Sequence, residues 1–194
     1  MLRNLFLIAL TLTLAIGAGA GSAWYALQMP DGIGAIRVGA WTAYPNAGTP
    51  DADPYSKARV AREGLLALGQ AEGLAFIAVS DSAGDALRLG CDYRVEGSTP
   101  AARFWTLYAT DSSHAVLPFD GAHRPAMHSQ EILRAPDNTF SIALGPHPVP
   151  GNWIRLQGTG AIALVFTLYD TPVASSSGVA DLEMPQVLKT GCDA

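Results

Sequence analysis

The sequence predicts a mainly β protein: an antiparallel β-sandwich with one flanking α-helix, carried behind an N-terminal transmembrane helix. Three observations lead there. Large apolar residues recur at every second position in many short segments, which places them on one face of a strand. Gly, Pro, Asn and Asp clusters punctuate those segments at short intervals, as in sandwiches. Only one stretch outside the N-terminus has helical periodicity.

The alternation is clearest between Asp137 and Pro172. Asp137-Asn138 supplies turn chemistry, because short polar side chains bond their own backbone and tolerate left-handed conformations. Phe140, Ile142 and Leu144 then alternate with smaller residues. Gly145 to Gly151 holds three prolines, which have no N–H to donate, so it reads as an extended, polyproline-like connection over the surface. Trp153 and Ile154 restart the pattern, and Gly158-Thr159-Gly160 turns the chain. From Ala161 to Tyr169 both faces are largely apolar, as expected of an interior strand covered on two sides.

Residues 1–29 read as a signal-anchor or transmembrane element, and residues 30–194 as one exported domain. Arg3 precedes an apolar run from Leu5 to Leu27, long enough to span a bilayer as a helix. Positive charge before the run and Asp31 after it keep the N-terminus cytoplasmic and send the domain to the periplasm. The expected location is therefore the inner membrane, single-pass, with the C-terminal domain in the periplasm. Ala18-Gly19-Ala20 and Gly21-Ser22-Ala23 have the form of a signal-peptidase site, so secretion to the periplasm after cleavage is the alternative. Trp24 and Tyr25 fit an interfacial belt on a retained helix.

Ahead of the strands, Asp53 caps and Pro54 opens a helix over residues 54–69, with Gly69 as its stop. Tyr55, Ala58, Ala61, Leu65 and Leu68 approximate an apolar stripe of 3.6-residue period, while Lys57, Arg59, Arg62 and Glu63 fill other faces. A solvated face or local pairing explains those cations most simply, a docking surface less so. Further strands are expected at 32–41, 74–79, 86–95, 104–109 and 114–119, with a short helix or irregular crossing at 125–134 and a last apolar piece near Val187-Leu188.

The 194 residues suffice for one sizeable core. Charged residues make up 15% and the net charge is −5, which argues against a general nucleic-acid or anionic-membrane binding surface. Cys91 and Cys192 are the two cysteines. In an oxidising compartment they can pair, closing a loop of about 100 residues worth roughly 4.7 kcal/mol in the chain-entropy account; two unrelated thiols are the other reading. Without a C-x-x-C pair, neither a redox motif nor a zinc knuckle is supported.

Phe104-Trp105-Thr106-Leu107-Tyr108, Asp137 to Ile142, Asn152-Trp153 and Leu168-Tyr169-Asp170-Thr171-Pro172 together resemble the DUF1214 domain over about residues 75–190. In that family the domain often follows a DUF1254 domain. This chain is similar to the short, stand-alone, membrane-anchored members seen in alpha-proteobacteria. The resemblance implies a jelly-roll-like sandwich and no established activity. Two positions depart from it: Thr167 stands where family members often have Arg, and His123-Arg124 where they often have Asn-Arg, so any polar site those groups share is altered here.

Candidate chemistry is sparse. His123, His128 and Glu131 would offer two imidazoles and a carboxylate if that segment coils, a set that zinc or iron accepts. Scattered surface histidines are the simpler reading, and no metal or cofactor is expected. Arg124 and Trp153 complete the candidate ligand-binding set. Trp105, Tyr108, Trp153 and Tyr169 can line a ligand groove or serve as core. No nucleophile elbow, phosphate loop or carboxylate pair is present. The expected function is a membrane-tethered binding or envelope-assembly module, with an envelope protein or small ligand as partner. Its contact surface is expected at the Pro146–Gly151 and Asp120–His128 loops. A β-sandwich hydrolase or metal-dependent enzyme, and a purely structural envelope protein, are the alternatives.

Overall fold

The computed structural model describes residues 2–28, 34–64, 67–119, 121, 124–174 and 182–192. His123 and the Ser175–Gly178 loop therefore lie outside the described residues. Helix α1 (Leu2–Gln28) is long and apolar enough to cross a membrane or act as a signal sequence. The rest of the described chain is built on two packed sheets. The larger is built from β1 (Ile36–Val38), β2 (Trp41–Ala43), β3 (Gly73–Ala78), β5 (Phe104–Asp111), β6 (Ala126–His128) and β9 (Ile162–Tyr169), in the order β1-β2-β3-β9-β5-β6. The smaller orders β10 (Gln186–Cys192), β4 (Cys91–Gly97), β7 (Phe140–Gly145) and β8 (Asn152–Arg155) as β10-β4-β7-β8.

Alternation places the core. Phe140, Ile142 and Leu144 of β7 and Tyr93 and Val95 of β4 point inward against Phe76, Leu107, Leu164 and Phe166 of the larger sheet. The sheets meet at Trp105, whose ring lies 4.9 Å from Phe166 beside it and 5.3 Å from Phe140 across the gap. Strand β9 sits between β3 and β5, and its residues from Ile162 to Leu168 are all buried, so the interior reading holds. Trp41, also fully buried, donates its indole N–H to Pro185 O at 2.6 Å. The Trp105 indole N–H has no partner among the described residues. Cys91 and Cys192 face each other in β4 and β10 and are bonded, which pins the edge of the smaller sheet.

Four local expectations change. The sandwich is antiparallel except at one pair: β7 and β8 run parallel, Ile142 beside Asn152 and Leu144 beside Ile154. Three prolines prevent a tight hairpin, so the Pro146–Gly151 connection folds back along the sheet and turns into β8 at Gly151, φ +95°. Segment 114–119 contributes only a single bridge, Thr110 to Val116, because Asp111 Oδ1 accepts from Ser113 N, Ser113 Oγ and Ala115 N and closes a turn. Segment 125–134 begins as strand β6, paired with β5, and is not helical.

The fourth change concerns α2 (Pro54–Glu63). Asp53 caps it, accepting from Tyr55 N at 2.9 Å and Ser56 N at 3.0 Å. It ends at Gly64 in the left-handed region, φ +64°, five residues before the expected stop. Of the expected stripe, Leu65 lies outside the described residues and Leu68 is half-buried beyond the helix. Tyr55, Ala58 and Ala61 are exposed, whereas Ser56, Arg59 and Val60 are half-buried. Arg59 anchors the polar side, donating to Tyr44 Oη at 3.1 Å and lying 5.6 Å from the Tyr44 ring.

Candidate functional site

The two sheets present unlike outer faces. On the smaller sheet, strict alternation in β4 sends Asp92, Arg94 and Glu96 outward, opposite Gly145, Ala143 and Ser141 of β7. Ala143 and Ser141 help to line a broad, open groove of about 1340 Å³. The proline loop, through His147 and Val149, walls one side, and Leu133, Arg134 and Leu182 to Met184 line it elsewhere. Asp92 lies between two glycines across the sheet, Gly145 and Gly191, and a methyl group on Gly145 would press into its carboxylate. Arg94 and Glu96 approach to 3.9 Å, both half exposed, so the pair adds little stability.

Asn152 fixes the rim. Its Oδ1 accepts from Leu133 N at 2.7 Å, and its Nδ2 donates to Leu133 O at 2.8 Å and Ser141 O at 3.0 Å. A buried amide fully used in this way locks the 132–134 segment against β7. The next residue, Trp153, points outward and donates Nε1 to Gly145 O at 3.2 Å, which steadies the start of the proline loop. Arg134 reaches over Trp105 at 5.9 Å and donates to Asn138 at 3.3 Å. The Asn-Trp pair is thus a structural clamp at the groove's edge.

On the larger sheet the outward positions of β3, β5 and β9 carry no charged residue. Phe104, Thr106, Tyr108, Val165, Thr167 and Tyr169 dominate them, and Val165 and Thr167 are buried. Burial, and secondarily the neighbouring Tyr169, pushes the Tyr108 hydroxyl above its ordinary pKa, so it stays a neutral donor. His128 sits at this face's edge, its ring 5.4 Å from Phe104.

His128 and Glu131 come together in the turn after β6. The carboxylate accepts from His128 N at 3.0 Å and lies 3.3 Å from Nε2, while Nδ1 accepts from Gln130 N at 3.3 Å. These contacts orient the ring within the turn. Arg124 is exposed just before β6. Trp153 lies on the far side of the core from this pair, and neither His128 nor Glu131 lines the groove. Among the described residues no three His, Cys, Asp or Glu side chains gather as a metal site would require. The residues that sequence reasoning missed are Asp92, Arg94, Glu96 and Ser141. The Cys91–Gly97 alternation was the available signal for the first three.

Fold and site together define a β-sandwich domain behind an apolar helix, with an open polar groove on one sheet and an uncharged aromatic face on the other. Residues 72–173, more than half of the chain, match the family described as "Protein of unknown function (DUF1214)", and the chain belongs to that family. Among solved structures it is similar to the VPA0106 protein from Vibrio parahaemolyticus, at 16% identity and a TM-score of 0.57. The match covers 72% of this chain and 36% of that one. An uncharacterized protein from Burkholderia cenocepacia matches at 17% identity and a TM-score of 0.43, over 94% of this chain and 52% of that one. The likeness to the first is one of fold. This chain spans between about a third and a half of the length of these two structures. No curated protein sequence matches it.

Proposed function

We propose that the chain is a membrane-tethered, periplasm-facing binding module that holds an extended ligand, such as an envelope protein segment or oligosaccharide, along the outer face of the smaller sheet. The observation that carries this reading is the groove itself: about 1340 Å³, open, floored by Ser141 and Ala143, and walled by a proline-stiffened loop. Pockets that enclose small substrates run about 300–1,000 Å³ and bury most of the ligand. A wider trough with mixed charges suits a polymer lying across the strands. The tether reading is supported by the length and apolarity of α1 and by the disulfide, which belongs to oxidising compartments. The hydrolase alternative would draw on His128 and Glu131, which lie outside the groove.

Titrating the isotope-labelled full chain in nanodiscs with envelope oligosaccharides and extended peptides tests the reading. The expected result is resonance shifts at Ser141, Ala143 and Gly151, lost in Ala143→Trp. Turnover of any probe that depends on His128 or Glu131, or shifts confined to the other sheet, would overturn it.

A further inference from the structure

Helix α2 is amphipathic in the wrong sense for a helix lying on a protein core. Its half-buried side is Ser56, Arg59 and Val60, with Arg59 tied to Tyr44. By helical geometry Pro54, Ala58 and Ala61 occupy the middle of the outward arc, with Tyr55 and Arg62 along one edge and Lys57 along the other. All six are exposed, Tyr55 at 38%. A central strip of apolar groups flanked by cations and an aromatic ring is the pattern of a helix that lies in a lipid interface.

The position of the helix supplies the second argument. Arg62 donates to Leu27 O at 3.2 Å, so α2 is held beside the last turn of α1. Ala23, Ala26 and Leu27 are the half-buried residues of that turn, whereas Trp24 and Tyr25 stay 65% and 62% exposed. Trp and Tyr at the end of an apolar span mark the headgroup level. Leu27 lies about 5 Å beyond Trp24 along the helix axis. With α1 across a bilayer, that contact would bring Arg62 near the level of the lipid phosphates. The chain carries a net charge of −5, yet this ten-residue helix holds three of its twelve Lys and Arg residues.

We infer that α2 is an interfacial helix: its Tyr55–Ala58–Ala61 side lies in the exported-side leaflet of the membrane, with Lys57 and Arg62 against anionic phospholipid headgroups. This rests on the reading that α1 spans the membrane. It adds that the domain is seated on the lipid surface in a fixed orientation rather than swinging on its tether. The anchor is bipartite, one helix across the bilayer and one along it. Arg59 is tied to Tyr44, and Lys57, which donates to Pro50 O at 2.7 Å, and Arg62 are the two cations left on the outward side.

The test uses the full chain, disulfide intact, reconstituted in phosphatidylcholine vesicles with and without phosphatidylglycerol. Nitroxide labels are placed one at a time at Leu12→Cys in α1, Ala58→Cys in α2 and Thr159→Cys in an exposed turn. Collision with oxygen is compared with collision with a water-soluble nickel chelate. Expected are oxygen-favoured labels at 12 and 58 and a chelate-favoured label at 159. Adding Lys57→Gln should shift the docked-to-undocked ratio at 58 about fivefold toward water when phosphatidylglycerol is present, and leave it unchanged without it. A water-like label at 58 with a lipid-like label at 12 overturns the inference and leaves the tether standing. A water-like label at 12 removes the tether and the inference with it. A docked helix indifferent to Lys57→Gln in both lipids overturns the headgroup assignment.

Discussion

The outer faces of the two sheets share one core and differ in everything else. The smaller sheet turns Asp92, Arg94 and Glu96 to the outside beside small residues, so water or a polar ligand satisfies it. The larger sheet turns out Phe104, Tyr108, Val165, Thr167 and Tyr169, with no charge among the outward positions of β3, β5 and β9. Alternation alone cannot tell these apart, because it fixes only which residues point inward. The composition of the remaining positions decides what each face tolerates. One is built for exchange with solvent, and the other is part of the structure's stability.

The largest test of that contrast is the disulfide. Replacing Cys91 and Cys192 by Ala should remove up to about 4.7 kcal/mol of stability. The loss should appear in amide exchange as early opening of β10 and the groove, with β9 still protected. Uniform loss of protection across both sheets would show that the two faces are not separate units. Charge insertion comes next. Val165→Lys places a cation in a buried, uncharged row and is expected to cost about 2 kcal/mol. Ser141→Lys, exposed beside Glu96, should stay within about 0.5 kcal/mol. Denaturant melts compare them, and equal losses would erase the distinction.

Asn152→Ala removes three hydrogen bonds and strands the Leu133 and Ser141 backbone groups, for about 2 kcal/mol. Its signature is localised: faster exchange at Leu133, with the aromatic face unaffected. The smallest effect is on acid stability. Hydrogen bonds hold the exposed Asp53, Asp111 and Asp137 carboxyls below the ordinary range, first from the Ser56, Ser113 and Thr139 hydroxyls and then from those residues' backbone N–H groups. A lowered folded value means their stabilisation is present above a pH of about 4 and is lost as the pH falls through the folded values. Melts between about pH 5 and 2 should show this loss, and Asp137→Asn should remove its share. Stability that rises on acidification through that window would contradict the turn bonds.

Much of the fold was legible because it depends on local pattern. Phe140, Ile142 and Leu144 point inward as their spacing requires. Ile162–Tyr169 is interior because both of its faces are apolar, and Asp53 caps its helix. The failures lie where a partner distant in sequence decides. The parallel pairing of β7 and β8 follows from the path of the proline loop, not from any residue in either strand. The apolar stripe of α2 is legible from its spacing, but that Tyr55, Ala58 and Ala61 stay exposed is not. The groove joins β4 to β7 across nearly fifty residues of sequence, so β4's alternation shows that charges face outward but not what lies beside them. His128 and Glu131 were legible as neighbours but not as hydrogen-bonded partners.

The central place of β9 has a consequence for synthesis. β3 and β5 are joined through a strand that leaves the ribosome some fifty residues after β5 does. At ordinary elongation rates of about 5–20 residues per second, their apolar inner faces wait roughly 3–10 s for the strand that bridges them. Through that interval the nascent chain is a sticky polymer beside an already emerged greasy leader, and its yield is governed by whatever shields it on the way out.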